Sequence, residues 1–186
     1  MSPDAFLIPL KAFDRAKERL RANPAIDVPA LAARLAAAVV HSCAPVPVVI
    51  VTESTDVADF AEEIGAQVWL SDARDLNEAL QRAYTALAER FAHVCIVPGD
   101  LRHPDGLGAF KPTDGVTIVT DHHGTGTNLL ALPSGLDFHF HFGSDSAQLH
   151  RLEAERLGLV VHVTTQGPWT LDIDQPEDLE ISPDGI

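Results

Sequence analysis

Short apolar runs alternate with segments of helical periodicity through the first half of the chain, and no other feature restricts the fold as strongly. The runs at residues 6–10, 48–51, 68–70 and 94–97 have the length and apolar content of buried strands. Apolar residues recur at helical spacing between them, at 29–42, 55–64 and 76–87, and residues 15–20 are helical in composition. Strands joined by crossover helices predict a mostly parallel sheet that is covered by helices on both faces.

The second half of the chain continues this pattern less regularly. We predict strands at 116–120, 129–132, 136–142, 159–163 and 170–173, with helical segments at 104–110 and 146–157. His139 and His141 alternate with phenylalanines, which favours a half-exposed strand face over a metal site. Because no repeat or linker divides the chain, we expect residues 1–186 to form a single α/β domain.

The charge balance limits the partners of such a domain. The 13 basic and 27 acidic residues give a formal net charge of −14, which argues against binding to nucleic acid or to an anionic membrane. An anionic substrate would need a metal ion or a local cluster of Lys and Arg. Two cysteines in apolar stretches and no long apolar span favour a cytoplasmic protein with buried thiols.

Ligands of open parallel sheets bind outside the carboxyl ends of the strands, so the residues that follow each strand are the candidate site. Lys11 and Arg15 follow the first predicted strand, and Asp100 follows the turn formed by Pro98 and Gly99. These positions predict a site that combines cations with a rigidly held carboxylate.

Two further acids come near the end of the chain. If residues 171–174 are extended, Asp172 and Asp174 point to the same face. Together with Asp100 they suit Mg²⁺, which prefers one or two carboxylates plus substrate phosphates. Helix capping or a solvated turn remains the alternative for each acid, and Asp174 stands where a capping residue would.

Two glycine-containing loops could bind an anion. Residues 124–128 read GTGTN, with unblocked amides and two hydroxyls, and residues 143–146 read GSDS before a predicted helix. An ordinary turn and a helix cap are the alternatives. Neither loop matches a phosphate-binding motif of the P-loop or dinucleotide type.

A set of short motifs occurs in order along the chain. They are Ile8-Pro9-Leu10-Lys11 followed by Arg15-Ala16-Lys17-Glu18-Arg19-Leu20, Leu76-Asn77-Glu78-Ala79-Leu80, Val97-Pro98-Gly99-Asp100-Leu101, His123-Gly124-Thr125-Gly126-Thr127-Asn128, Phe142-Gly143 with Ser146 and His150, and Leu171-Asp172-Ile173-Asp174 with Pro176-Glu177-Asp178-Leu179. In this combination the chain resembles the guanylyltransferases of deazaflavin coenzyme F-420 biosynthesis, which transfer GMP from GTP to 2-phospholactate, phosphoenolpyruvate or 3-phosphoglycerate.

The resemblance implies a nucleotidyltransferase variant of the Rossmann-like α/β sandwich and a Mg²⁺ cofactor. The sequence leaves the oligomeric state open, with a homodimer favoured. It implies that Lys11 and Asp100 are catalytic, and that Asp100 holds the ion with Asp172, Asp174 or both. The implied nucleotide-binding residues are Lys11, Arg15, Lys17, Leu76 and Asn77. The implied residues for the phosphoacid are Thr127, Gly143 and Ser146.

Three residues depart from the family's usual pattern: Asp75, Arg102 and Asp145 stand where glycine, proline and a small residue are common. Two other functions stay open at this point. One is a molybdopterin or sugar-phosphate nucleotidyltransferase of the same fold, although such enzymes begin with a glycine-rich loop that residues 6–19 lack. The other is a non-catalytic nucleotide-binding protein.

Overall fold

Seven strands form the central sheet of the structure, a computed structural model that describes residues 5–179. The strands are Ala5–Pro9 (β1), Val48–Thr52 (β2), Gln67–Leu70 (β3), His93–Ile96 (β4), Val116–Thr120 (β5), Thr127–Pro133 (β6) and Val161–Thr164 (β7). The α-helices among the described residues are Val28–Ser42 (α1), Thr55–Glu63 (α2), Leu76–Leu87 (α3) and Ser146–Arg156 (α4). Each helix begins and ends within a residue of its prediction.

The sheet is mostly parallel, as the sequence predicted. The strand order is β3-β2-β1-β4-β6-β5-β7, and β6 alone runs against its two neighbours among the described strands. The other pairs, β1 with β2 and β4, β2 with β3, and β5 with β7, are parallel. The carboxyl ends of six strands and the start of β6 therefore lie at one edge of the sheet.

Helices cover both faces of this sheet. Phe6 and Ile8 of β1 pack with residues of α1 and α2, whereas Leu7 packs with residues of α3 and α4 on the other side. Strands buried on both faces explain the continuous apolar runs in the sequence. No helix within residues 5–179 is long and apolar enough to cross a membrane.

The predicted strand at 136–142 is wrong, although its alternation is right. Phe138 and Phe140 are buried and His139 is exposed, but the segment does not join the sheet. Its backbone N–H groups are satisfied by side chains of the neighbouring helices instead of a strand ladder. Leu136 donates to Tyr84 Oη, His139 to Glu153 Oε1, His141 to His150 Nε2 and Phe142 to Asn77 Oδ1.

Two other predicted elements also differ. Residues 170–173 form only an isolated bridge, between Asp172 and Leu101, rather than a strand. Residues 15–20 are not one helix, because Lys17 has a φ of 49° and separates the 3-10 turns Phe13–Arg15 and Glu18–Ala22. A left-handed residue cannot continue a right-handed helix.

Candidate active site

A cleft of about 950 Å³ opens at the edge where the parallel strands end. Its walls come from the segments that follow β1, β2, β3 and β4, together with residues 142–143 and Asp174. The sequence-predicted residues that line it are Lys11, Arg15, Lys17, Leu76, Asn77, Asp100, Gly143 and Asp174. A cavity of this volume is typical of a site for a small molecule.

The three predicted metal-binding acids meet at this edge. Asp100, Asp172 and Asp174 each offer a carboxylate oxygen, and these oxygens all lie within 4.8 Å of one another. The bridge to Leu101 holds the backbone of Asp172 next to the turn that carries Asp100. The side chain of Asn128 donates to Asp172 Oδ1 at 3.2 Å and fixes that carboxylate.

Lys17 lines the cleft, but its ammonium group lies inside this acid cluster. Its Nζ is 2.7 Å from Asp100 Oδ2 and 3.4 Å from Asp174 Oδ1, and it also donates to the carbonyl oxygen of Ile173. The lysine side chain is only 6% exposed. The family resemblance implied that Lys17 binds the nucleotide, and that role stays a prediction.

The cluster holds more negative charge than one lysine can balance. Burial raises the pKa of Asp172 to about 6, and the charges of Asp100 and Asp174 add to that rise. Burial also raises the pKa of Asp100, against the opposing effect of Lys17. Burial would lower the pKa of Lys17, but Asp100 and Asp174 outweigh it and raise the pKa, so the lysine stays charged.

The donor set fits a hard divalent cation. The second carboxylate oxygen of Asp100, Oδ1, is buried and has no hydrogen-bond partner among the described residues. A buried carboxylate oxygen without a partner is costly unless a cation compensates it. Carboxylate oxygens from two chain segments are the ligands that Mg²⁺ accepts.

Cationic side chains also line the cleft. Lys11 is exposed and forms no ion pair within residues 5–179, whereas Arg15 is 2.9 Å from Glu53 Oε1 in an exposed pair. A smaller recess of about 270 Å³ continues from the cleft and is lined by Lys11, Arg15, Lys17 and Arg19 among others. This concentration of cations suits a polyanionic ligand.

Sequence reasoning missed Arg74, which also lines the cleft. The rule that identified Lys11 and Arg15 could have identified it, because Arg74 follows β3 at the same edge of the sheet. Asp75, beside it, accepts a hydrogen bond from Glu78 N at 2.9 Å and caps α3. This departure from the family pattern therefore has a structural role in starting the helix.

Asn77 joins the first turn of α3 to Phe142, and both residues line the cleft. Its Oδ1 accepts from Phe142 N at 2.7 Å and its Nδ2 donates to Phe142 O at 3.0 Å. The side chain therefore pairs with Phe142 as a strand backbone would. Asn77 orders the segment that carries Gly143, and nucleotide contact by Asn77 stays a prediction.

Of the three residues predicted to bind the phosphoacid, one lines the cleft and two are buried behind its surface residues. Gly143, with a φ of 130°, lines the cleft directly. Thr127 and Ser146 are buried at the starts of β6 and α4 and do not line it. Thr127 Oγ1 is 3.0 Å from His150 Nδ1, and the ring of His150 lies 4.7 Å from that of Phe142, next to Gly143.

Arg102 and Asp145 are the other two departures from the family pattern. Arg102 donates from its backbone N to Leu171 O at 2.9 Å and from its guanidinium to Asp178 O, which ties the turn after Asp100 to the segment of Asp172. Asp145 precedes α4 with a left-handed φ of 57° and forms no side-chain cap.

Comparison with known proteins decides the family. Residues 5–182 match the model of the family described as guanylyl transferase CofC like. The chain belongs to this family. The resemblance stated from the sequence motifs is therefore confirmed.

Two curated relatives illustrate how far the likeness to CofC-like proteins extends. The chain is 35% identical to the phosphoenolpyruvate guanylyltransferase of Roseiflexus castenholzii over 71% of its own length, and the match spans 63% of that relative. It is 34% identical to the phosphoenolpyruvate guanylyltransferase of Nocardia farcinica, over 94% of this chain and 82% of the relative.

Solved structures agree on the fold of this CofC-like chain. A nucleotidyl transferase from Methanothermobacter thermautotrophicus superimposes with a TM-score of 0.67, at 14% identity, over 97% of this chain and 95% of the other. The likeness confirms the nucleotidyltransferase variant of the α/β sandwich that the element order and the motifs predicted.

Proposed function

We propose that the chain transfers GMP from GTP to a three-carbon phosphoacid, with phosphoenolpyruvate as the first acceptor to test, and that it does so with Mg²⁺. One observation carries the proposal: the same cleft is lined by cationic side chains and by Asp100 and Asp174, two members of a partly buried cluster of three carboxylates. A nucleotidyl transfer needs both, since the triphosphate is an anion and its reacting phosphate must be aligned and neutralised.

The reaction requires no covalent intermediate with the protein. A phosphate oxygen of the acceptor attacks the α-phosphorus of GTP and forms a new P–O bond. The bond between the α-phosphorus and the bridging oxygen to the β-phosphate breaks, and pyrophosphate leaves with that electron pair. Because both substrates are anions, alignment and charge compensation are the tasks left to the protein.

The residues divide this work by position. Lys11 and Arg15, at the cation-lined wall, would bind the triphosphate, and Leu76, the first residue of α3, would contact the nucleoside. Gly143 would approach the acceptor through its backbone, with Thr127 and Ser146 supplying hydroxyls. Asp100, Asp172 and Asp174 would hold the ion, which when bound compensates negative charge on the reacting phosphates.

A panel of reactions tests this function. GTP is incubated with phosphoenolpyruvate, 2-phospholactate or 3-phosphoglycerate, and pyrophosphate release is measured with the guanylylated product. We expect turnover with at least one acceptor. Thermal stabilisation by GTP and Mg²⁺ without pyrophosphate release in any reaction would contradict it in favour of a non-catalytic nucleotide-binding protein.

A variant pair tests the acid cluster. Asp100→Asn should keep the fold and lower turnover by about 100-fold or more, equivalent to about 2.7 kcal/mol of transition-state stabilisation. Asp105→Asn is the matched control, because Asp105 is exposed, follows the same strand and does not belong to the cluster. Equal activity of the two variants would remove Asp100 from the site.

A further inference from the structure

His150 is a buried histidine that the proposed reaction leaves unused. Its ring is fully buried, and both ring nitrogens have hydrogen-bond partners. Nε2 lies 2.9 Å from His141 N, and Nδ1 lies 3.0 Å from Thr127 Oγ1. A histidine with both nitrogens engaged in this way has its ring orientation fixed from two sides.

The contact with His141 determines where the imidazole carries its proton. A backbone N–H can only donate, so Nε2 must be the unprotonated acceptor. A neutral imidazole with an unprotonated Nε2 carries its hydrogen on Nδ1. His150 Nδ1–H must therefore donate to Thr127 Oγ1, and it cannot accept from the hydroxyl.

This direction leaves the Thr127 hydroxyl proton free for another acceptor. No other described residue forms a hydrogen bond with Thr127 Oγ1. If the imidazole carried its proton on Nε2, the hydroxyl would donate to the ring and would present only lone pairs to its surroundings. An anionic oxygen would find no donor there.

Thr127 is connected through its neighbours to two parts of the site. The next residue, Asn128, donates to Asp172 in the acid cluster. On the other side, the ring of His150 packs against that of Phe142, which precedes the cleft-lining Gly143. Thr127 is buried, and these contacts connect it through its neighbours to both the acid cluster and the Gly143 segment.

We propose that His150 is a positioning residue for the acceptor: its Nδ1–H holds Thr127 Oγ1 so that the threonine hydroxyl donates its proton to a phosphate or carboxylate oxygen of the three-carbon phosphoacid. The inference rests on the proposed function. The chain from His141 N–H through the imidazole to the hydroxyl has only one direction, so the donor is oriented before the acceptor arrives. Pre-orientation lowers the cost of ordering at binding.

Two substitutions of similar polarity separate this role from simple packing. In His150→Asn, the amide nitrogen stands as many bonds from Cα as Nδ1 does and can still donate to Thr127. In His150→Gln, the terminal amide extends toward the position of Nε2 and the donor to Thr127 is lost. Both variants create a comparable packing defect, and melting temperatures measure it.

The kinetic readout is the half-saturating concentration of each substrate. His150→Gln should raise the half-saturating concentration of phosphoenolpyruvate by about five- to tenfold, as expected for the loss of one hydrogen bond. It should leave the half-saturating concentration of GTP within about twofold of the wild type. His150→Asn should restore acceptor affinity to within about twofold of the wild type. An equal rise in both variants, no rise in either, or an equal rise for GTP would overturn the proposal.

A double-mutant cycle ties the effect to Thr127. Thr127→Val removes the hydroxyl and keeps a β-branched side chain of similar size, and it should raise the acceptor's half-saturation at least as much as His150→Gln does. Adding His150→Gln to Thr127→Val should then change it no further, because the pair acts as a unit. Additive effects would show that His150 acts by another route.

The imidazole itself can be observed without substrate. In protein labelled with ¹⁵N-histidine, the ring nitrogens of His150 should show a neutral ring protonated on Nδ1 at pH 7. An Nε2–H tautomer or an imidazolium would overturn the inference by itself. If the wild type transfers GMP to none of the acceptors, the proposed function fails, and this spectrum together with a direct titration of phosphoenolpyruvate into wild type, His150→Gln and His150→Asn still decides the role of His150.

Discussion

Lys17 Nζ lies 2.7 Å from Asp100 Oδ2, in the middle of the carboxylates to which the proposed Mg²⁺ would bind. The same Nζ reaches Asp174 Oδ1 at 3.4 Å. The lysine is thus the internal counter-ion of the cluster in the metal-free protein. A divalent ion and the ammonium group would share the same carboxylates, and like charges at that distance repel.

Removing the lysine should have opposite effects on the metal-free and the metal-bound protein. Lys17→Met should lower the free energy of unfolding in EDTA by about 1–3 kcal/mol, because a partly buried carboxylate loses its partner. It should also lower the Mg²⁺ concentration that gives half of the thermal stabilisation. Melting curves over a Mg²⁺ series, without nucleotide, measure both effects.

Lys111→Met is the control for that experiment, since it removes the same charge from an exposed position outside the cluster. If Lys17→Met weakened the Mg²⁺ response, the lysine would cooperate with the ion rather than compete with it.

Asp172 should make stability depend on pH in the metal-free protein. Burial and the neighbouring carboxylates raise its pKa to about 6 in the folded chain, against about 4 when unfolded. The ionised form is therefore disfavoured by folding, so Asp172→Asn should raise the free energy of unfolding at pH 7 in EDTA by about 1–2 kcal/mol. The variant's Oδ1 can still accept from Asn128.

The sign of the pH dependence provides the check. Between about pH 6 and pH 4 the folded wild type binds a proton at Asp172 that the unfolded chain does not, so the wild type gains stability relative to the variant as the pH falls. Below about pH 4 the two should be equally stable. Urea unfolding at pH 7, 5.5 and 4 measures this, and a difference that stays constant or widens toward low pH would exclude the assigned cause.

Lys11 and Arg15 should differ in their importance for GTP. Lys11 has no ion pair within the described chain, whereas the charge of Arg15 is partly balanced by Glu53. Lys11→Ala should raise the half-saturating GTP concentration by about tenfold, as expected for one charge-assisted hydrogen bond, and Arg15→Ala should raise it less. Steady-state titrations at two salt concentrations measure both, and the lysine effect should shrink at higher salt. The reverse ranking would show that Glu53 turns away when the triphosphate binds.

Much of the fold followed from local sequence signals. The four α-helices of the described residues were predicted closely because apolar spacing acts within a few residues of sequence. The predictions that were wrong depended on contacts between residues that are far apart in sequence. Whether residues 136–142 pair with a strand or with side chains of α3 and α4 depends on groups far away, such as Asn77 and Glu153, which no local pattern reveals.

The candidate site was likewise predictable only in part from the sequence. The rule that ligands bind where parallel strands end brought Asp100, Lys11 and Asp174 to one cleft. It gave no reason to expect Lys17 among the carboxylates, because the left-handed turn that directs it there has no distinctive residue in the sequence. The contact between His150 and Thr127 was equally invisible, since it joins residues of two separate elements.

Asn77 provides a test of whether ordering the wall of the cleft matters for function. Asn77→Ala removes both bonds to Phe142, whereas Asn77→Asp keeps an oxygen that accepts from Phe142 N and loses only the bond to Phe142 O. The aspartate also suits the first turn of a helix. Hydrogen exchange of the Phe142 amide should therefore accelerate strongly in the alanine variant and little in the aspartate variant. Amides in the middle of α3 should keep their protection in both, which controls for general unfolding.

We expect Asn77→Ala to lose about 1–2 kcal/mol of stability, the usual cost of two hydrogen bonds at a half-buried site. It should also weaken the binding of acceptor and GTP together, because Phe142 and Gly143 line the cleft that both would share. If the alanine variant loses GTP binding while Phe142 stays protected, Asn77 contacts the nucleotide directly, as the family resemblance implied.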